Sequence, residues 1–151
     1  MRDQAILVLI DANVLIYAED ARFPDKRTQA KAWIDALWST GCGSTSFQVL
    51  TEFYNIVTRR MKPGLSRHEA RTALTDYLAW HPVETDAELV RSAWALEDQL
   101  GFTHWDCLII AAALKQECSH LLTEDLQHGQ KIMGLTIISP FQIAPQALFS
   151  H

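Results

Sequence analysis

The sequence AILVLIDAN, residues 5–13, begins with six consecutive apolar residues and changes abruptly at Asp11. A continuous apolar run of this length is typical of a central parallel β-strand that is covered on both faces. An acid directly after such a strand is costly unless it is paired with another group or bound to a cation. The stretch therefore predicts a central strand of an α/β sheet, followed by a carboxylate that needs a partner or a cation.

The rest of the chain alternates between helical and extended patterns. Helices are predicted over residues 25–40, 46–60, 66–80, 85–100 and 103–117, with a short helical turn over 126–133, and strands over 42–45, 83–84, 120–123 and 135–138. The predicted helix starts are Asp25, Ser46, the capping boxes Ser66–Glu69 and Thr85–Glu88, and Thr103. Without an internal repeat or a linker, this order predicts one domain over residues 1–151. Its expected fold is a three-layer α/β/α domain with a mostly parallel central sheet of four to five strands.

Composition narrows the class of protein. Hydrophobic residues make up 48% of the 151 positions, which is enough to bury a core. The cysteines, Cys42, Cys107 and Cys118, have neither CxxC spacing nor an even count, so we expect buried thiols in a reducing cytoplasm. No apolar run is long enough for a signal peptide or a membrane span, and a soluble cytoplasmic protein without a membrane partner is expected. The net charge of −5 counts against a nucleic-acid partner unless the acids surround a metal ion.

Four acids occupy comparable places in the predicted fold. Asp11 and Asp125 follow predicted strands, Asp106 lies in the first turn of a predicted helix, and Glu52 lies less than two turns into another. Ligands of α/β proteins bind at the edge where the carboxyl ends of parallel strands meet, and we expect all four side chains to share that edge. A helix cap or a solvated acid is the simpler interpretation for each of the last three alone. The coincidence of four favours a functional site.

Carboxylates that share one site repel one another unless a cation compensates their charge. Ligands that are all oxygen select Mg²⁺ or Mn²⁺ over Zn²⁺, and the six histidines include no HxxxH pair. A Mg²⁺ ion held by carboxylates at an open edge supports phosphoryl chemistry. The sequence has no Walker A loop and no GxGxxG motif, which disfavours a nucleotide-binding fold of either kind.

The order of four motifs resembles that of PIN-domain ribonucleases, particularly the VapC-type toxins of bacterial toxin–antitoxin pairs. These motifs are LIDANVLIYA (9–18), STSFQVLTEFYNIVTR (44–59), THWDCLIIAAAL (103–114) and LLTEDLQHGQKIMGLTIISPF (121–141). The resemblance implies a Mg²⁺- or Mn²⁺-dependent endoribonuclease whose acidic quartet, catalytic and metal-binding, is Asp11, Glu52, Asp106 and Asp125. It implies supporting roles for Asn13, Ser46 and Thr123, and it gives Glu124 no role.

The resemblance also implies partners. It predicts a small cognate antitoxin of the VapB type, a homodimer, and contact with promoter DNA only indirectly, through the antitoxin. The large apolar residues Phe23, Trp33, Trp38 and Trp80 are candidates for an antitoxin groove or a dimer face, although each alone is more typical of a core. The basic residues Arg59, Arg60 and Lys62 are candidates for contact with the RNA substrate, or else favourable cations at a helix end.

Other functions fit the sequence less well. A haloacid-dehalogenase-like phosphatase uses a DxD motif after its first strand, and here Asp11-Ala12-Asn13 lacks the second acid. A phospho-receiver domain would need an acid pair and a lysine after a late strand, and this pattern is missing too. The non-enzymatic alternative is a PIN-like module that binds RNA or a partner without cleaving, which the presence of all four acids disfavours.

Overall fold

The computed structural model describes residues 5–149. The helices and strands follow one another in an alternating α/β order. They are β1 (Val8–Ile10), α1 (Ala12–Tyr17), α2 (Pro24–Thr40), β2 (Gly43–Ser44), α3 (Phe47–Arg59), α4 (Arg67–Tyr77), α5 (Ala87–Leu100), α6 (His104–Lys115), β3 (His120–Leu122), β4 (Lys131–Ile132), β5 (Leu135–Ile138) and α7 (Gln146–Phe149), with a 3₁₀ turn (Leu78–Trp80) after α4.

The strands form one sheet in the order β2-β1-β3-β5-β4. The first four strands in this order are parallel to one another, and only β4, at the edge next to β5, is antiparallel. All three residues of β1 are fully buried, as the apolar run at the start of the chain predicts. The prediction of a three-layer α/β/α domain with a mostly parallel sheet is therefore confirmed.

Three predicted helix starts are confirmed by their hydrogen bonds. The hydroxyl of Ser46 accepts the backbone N–H of Val49 at the start of α3, and the hydroxyl of Thr103 accepts that of Asp106 at the start of α6. At α4, Ser66 and Glu69 form both bonds of a capping box. These bonds satisfy backbone donors that have no partner inside the helix, so local sequence alone fixes where the three helices begin.

Two predicted helix starts are wrong by one or two residues. α2 begins at Pro24 and therefore places Asp25 inside its first turn, where Asp25 is no longer the cap. Proline suits the first helical position because its missing N–H would have no partner there. α5 is capped by Asp86 in place of Thr85, through a bond from the N–H of Leu89. Aspartate is the better cap of the two, since its carboxylate accepts more strongly than a threonine hydroxyl.

The predicted helical turn over residues 126–133 is also wrong. This segment is a loop followed by β4, which pairs with β5 through a hairpin. Met133 and Gly134 connect the two strands with φ values of 51° and 88°, as a tight two-residue hairpin turn requires. The predicted strand at 83–84 reduces to a single bridge between Ser46 and Val83, and α1, directly after Asp11, is a helix that the sequence analysis did not predict.

Trp33 and two of the three cysteines are buried in the core. Trp33 is fully buried, and its indole N–H donates to the carbonyl of Ile143, so it cannot line a groove or a dimer face as predicted. Cys107 and Cys118 are buried free thiols, and Cys42 is a half-buried one. None of the helices within residues 5–149 combines the length and apolar character that crossing a bilayer requires.

Candidate metal and nuclease site

The carboxylate of Asp11 lies at the carboxyl end of β1 and is held by three hydrogen-bond donors. Its Oδ1 accepts the backbone N–H of Ala12 at 2.7 Å, which caps α1. Its Oδ2 accepts the hydroxyl of Thr123 at 2.7 Å and the side-chain amide of Asn13 at 3.3 Å. Asp11 is therefore fixed by its own helix and by the end of the neighbouring strand β3.

Thr123 connects Asp11 to the loop that follows β3. The threonine is fully buried, and its Oγ1 accepts both the backbone N–H of Asp125 at 3.1 Å and the amide of Asn13 at 3.2 Å. The side-chain oxygen of Asn13 in turn accepts the backbone N–H of Glu124 at 3.3 Å. Residues 123–125 are thus tied to residues 11–13, which places the backbone of Asp125 beside Asp11.

The electrostatics of Asp11 are unusual for an aspartate. Its pKa is raised from 3.8 to about 7, chiefly by burial, which outweighs the hydrogen bonds from Thr123 and Ala12 that lower the pKa. The negative charges of Asp125 and Glu52 contribute to the rise. Near neutral pH the carboxyl of Asp11 is therefore partly protonated and partly ionised.

Asp125 is the acid that links the other three. The pKa of Glu52 is raised, first by partial desolvation and then by the charge of Asp125. The pKa of Asp106 is also raised, chiefly by partial desolvation. The charge of Asp125 adds to this rise, and the hydrogen bond with Thr103 opposes it. Asp125 and Glu52 are exposed to solvent, whereas Asp106 and Asp11 are half-buried. We refer to the surface formed by Asp11, Glu52, Asp106 and Asp125 as the acidic site.

The donor atoms of the acidic site are those that a hard cation prefers. Its side chains offer carboxylate oxygens, which Mg²⁺ and Mn²⁺ prefer. Within residues 5–149, however, no three acidic, histidine or cysteine side chains already lie close enough to form a ready-made metal site. Direct coordination of one ion by several of the four acids therefore stays a prediction.

Ser46 is engaged as a helix cap. It is almost completely buried, and its hydroxyl accepts the N–H of Val49. It thereby fixes the start of α3, the helix that carries Glu52. Its predicted place among the hydroxyls that order the site or its waters stays a prediction.

Glu124 forms an ion pair that the sequence did not reveal. Its Oε1 lies 3.1 Å from the ammonium of Lys26 on α2 and accepts the hydroxyl of Tyr17 at 3.4 Å. The same ammonium lies 4.8 Å and 4.9 Å from the ring centroids of Tyr17 and Phe141. Glu124 therefore ties the loop after β3 to α1 and α2, beside the acidic site. Because Lys26 and Glu124 are 98 positions apart, no local pattern could have indicated the pair.

The predicted RNA-contact residues lie at the far end of α3. Arg59 ends the helix, Arg60 follows it, and both are exposed, as is Lys62. Arg59 comes two helical turns after Glu52 and so lies on the same face of α3, about 10 Å along the axis. Arg59 therefore places a basic group on the side of α3 that carries Glu52.

Comparison with known proteins gives the same fold. VapBC2 from Rickettsia felis bound to a promoter DNA fragment is 16% identical, with a TM-score of 0.59 over 89% of this chain and 98% of that one. A toxin–antitoxin complex from Klebsiella pneumoniae is 17% identical, with a TM-score of 0.63 over 90% and 99%. VapC20 from Mycobacterium tuberculosis, a toxin that cleaves the sarcin–ricin loop, is 20% identical, with a TM-score of 0.53 over 76% and 86%. The chain has no significant match among curated protein sequences.

At 16–20% identity, the structural similarity shows a shared fold and no more, and the family is shown by a sequence profile. The sequence profile of the PIN domain matches residues 8–131, which include all four acids and the residues that hold Asp11. This match disfavours the haloacid-dehalogenase-like alternative. The chain belongs to the PIN-domain family.

Proposed function

We propose that this protein is a metal-dependent endoribonuclease that acts as the toxin of a toxin–antitoxin pair. The observation that carries the proposal is the carboxylate of Asp11, held by Thr123 and Asn13 with its pKa raised to about 7 by burial and by neighbouring acids. Groups whose pKa is strongly raised by burial and by like charge are typical of functional sites, because such strain has no benefit for folding. Membership of the PIN-domain family supports a nuclease.

The donor set of the acidic site fits Mg²⁺ or Mn²⁺, the cofactor that we propose. Asp11 and Asp106 would be the principal ligands, with Glu52 and Asp125 completing the acidic quartet. A carboxyl binds a cation only after losing its proton, and a pKa of about 7 leaves Asp11 ready to do so at neutral pH. When bound, the ion would lower the pKa of a water molecule and neutralise charge on a phosphodiester.

Other residues of the chain hold the acids in position. Thr123 and Asn13 direct Oδ2 of Asp11, and the N–H of Asp125 on the Thr123 hydroxyl fixes the loop that carries this acid. Thr103 fixes the first turn of α6, and with it Asp106. The substrate that we propose is RNA, whose phosphates would meet the exposed side chains of Arg59, Arg60 and Lys62 beyond Glu52.

Removing the hydroxyl of Thr123 is expected to lower RNA cleavage by about 10- to 100-fold, the usual cost of losing a group that orients a metal ligand. Thr123→Val keeps the shape of this buried side chain but cannot donate to Asp11. Thr123→Ser keeps the hydroxyl and should retain most of the activity. Initial rates at saturating Mg²⁺ test this prediction, and equal rates for the valine and serine variants would contradict it.

The partner that we propose is a small VapB-like antitoxin. The similar solved structures include toxin–antitoxin complexes, and the net charge of −5 suits a basic inhibitor that reaches the acidic site. A groove between α3 and α4 is lined by apolar side chains, of which Phe47 and Leu78 are exposed, and it has the character of a surface that receives an amphipathic helix. A homodimer, and contact with promoter DNA through the antitoxin, complete the proposal. A short reading frame directly upstream would support the pairing.

Incubation with a total RNA pool tests the proposed function. We expect cleavage products with Mg²⁺ or Mn²⁺ and none in EDTA, since the acids cannot support the chemistry without a cation. The products should have discrete ends, as an endonuclease gives. Absence of cleavage with either metal, from folded protein free of antitoxin, would favour a PIN-like module that binds RNA or a partner without cleaving it.

A further inference from the structure

Trp105 is a large aromatic residue that the proposed chemistry does not use. It lies in the first turn of α6, directly before Asp106, and 67% of its surface is exposed. Leu108 and Ile109, one turn further along the same face of α6, are buried, so burial of this face begins only after the first turn and the indole projects from the end of the helix. A single exposed tryptophan is not unusual by itself. Its position beside an acid of the acidic site is what requires an explanation.

The first turn of α6 carries both the Trp105 indole and one acid of the acidic site. The bond from the N–H of Asp106 to the Thr103 hydroxyl, 3.2 Å long, fixes the turn that carries both side chains. Trp105 directly precedes Asp106, and the two side chains leave the first turn of α6 about 100° apart, so both project from the same end of the helix. The ring of His104 packs against the indole with centroids 5.8 Å apart, and most of the indole surface still faces solvent.

An acidic nuclease needs contacts with RNA that do not depend on positive charge. The protein carries a net charge of −5, and its four site acids repel the phosphates that must approach them. Stacking of a base on an aromatic ring is independent of charge and tolerates any base, because every base has a flat π-face. Trp105 offers such a surface next to Asp106.

We infer that Trp105 is a substrate-positioning residue on whose indole an RNA base next to the cleaved phosphodiester stacks. The inference rests on the proposed function and adds a contact that places the strand. A protein partner is the other class of ligand that an exposed tryptophan can bind. We choose RNA because the apolar groove that suits a protein helix lies between α3 and α4, and its lining includes no residue of α6.

The test compares Trp105→Ala with Trp94→Ala, a matched control at a tryptophan on α5 that is 54% exposed. A single-stranded RNA oligonucleotide that spans a cleavage site found in the RNA pool serves as the probe. We expect Trp105→Ala to raise KM, and the Kd measured in EDTA, by about 5- to 100-fold, with a smaller change in kcat. Trp94→Ala should change neither by more than about 2-fold, and Trp105→Phe, which keeps an aromatic face, should lie between the alanine variant and wild type.

Fluorescence provides a readout that a purely structural role would not change. RNA should quench the tryptophan emission of the wild-type protein, and Trp105→Phe should lose most of that quenching while still binding. Unchanged KM and Kd in Trp105→Ala would overturn the inference. If Trp105→Ala instead lost antitoxin binding and kept RNA binding, the residue would belong to the surface that binds the protein partner, which would also overturn the inference. Wild-type protein that neither binds nor cleaves RNA would overturn the proposed function, and the inference with it.

Discussion

Asp11→Asn is expected to reduce metal-dependent RNA cleavage by at least about 100-fold without unfolding the protein. Loss of a group that merely orients a metal ligand costs about 10- to 100-fold, and loss of the ligand itself should cost more. The asparagine keeps the size of the side chain and an oxygen for the N–H of Ala12, so the cap of α1 survives. What it removes is the negative charge that would bind the cation.

The measurement is the initial rate of RNA cleavage at saturating Mg²⁺, with circular dichroism as the check on folding. Glu88→Gln is the matched control, because it removes one charge from an exposed acid in the first turn of α5. That turn lies at the other end of α6 from Asp106, since its neighbour Asp86 pairs with Lys115. Cleavage by Asp11→Asn at the wild-type rate would contradict the assignment of Asp11 as a metal ligand.

The same substitution is expected to make the metal-free protein more stable at alkaline pH. The pKa of Asp11 is 3.8 in an unfolded chain and about 7 in the folded protein, so the folded state binds more protons between these two values. The free energy of unfolding of the wild type therefore falls as the pH rises through this range, because the unfolded state ionises first. Asparagine does not titrate and has no such loss.

Urea denaturation in EDTA at pH 5 and pH 8 measures this effect. Between the two pH values, we expect the wild type to lose roughly 2–3 kcal/mol more stability than Asp11→Asn, which corresponds to about two pKa units of the shift. Glu88→Gln should follow the wild type, since Glu88 is an exposed acid away from the acidic site. Parallel pH dependence in wild type and Asp11→Asn would contradict the raised pKa of Asp11.

Together, these two results would show that the acid required for cleavage lowers the stability of the metal-free protein. An acid that destabilises the metal-free protein at pH 8, yet is required for cleavage, is held in place for chemistry. A structural carboxylate would behave in the opposite way, and its replacement would lower stability at every pH above its unfolded pKa.

Local sequence signals predicted much of the fold. The buried strand before Asp11 and the caps at Ser46, Ser66 and Thr103 depend on residues within three or four positions of one another, and the structure has them where the sequence predicts. Two of the predictions that failed involved competing local choices. Pro24 displaces Asp25 as the start of α2, and Asp86 caps α5 in place of Thr85, one position earlier.

In the segment 126–133, the local sequence pattern predicted the wrong secondary structure. It contains enough apolar residues to predict a helical turn, but pairing with β5 buries Ile132 and satisfies the backbone of β4, a gain that a short isolated helical turn cannot match. The partner strand comes after the segment in the chain, joined by the turn at Met133 and Gly134. Tertiary pairing therefore overrode the local preference.

The sequence by itself determined the α/β class and three of the helix starts, because apolar periodicity and helix caps are short-range features. It also predicted the acidic quartet Asp11, Glu52, Asp106 and Asp125, through the order of the motifs that carry these acids. Only the tertiary structure decided how Asp11 is held, since Thr123 is 112 positions away, that Glu124 pairs with Lys26, and that Trp33 is buried. It also decided the raised pKa of Asp11. Burial and the charges that surround a residue depend on how distant segments pack, so neither can be read from residues 5–13 alone.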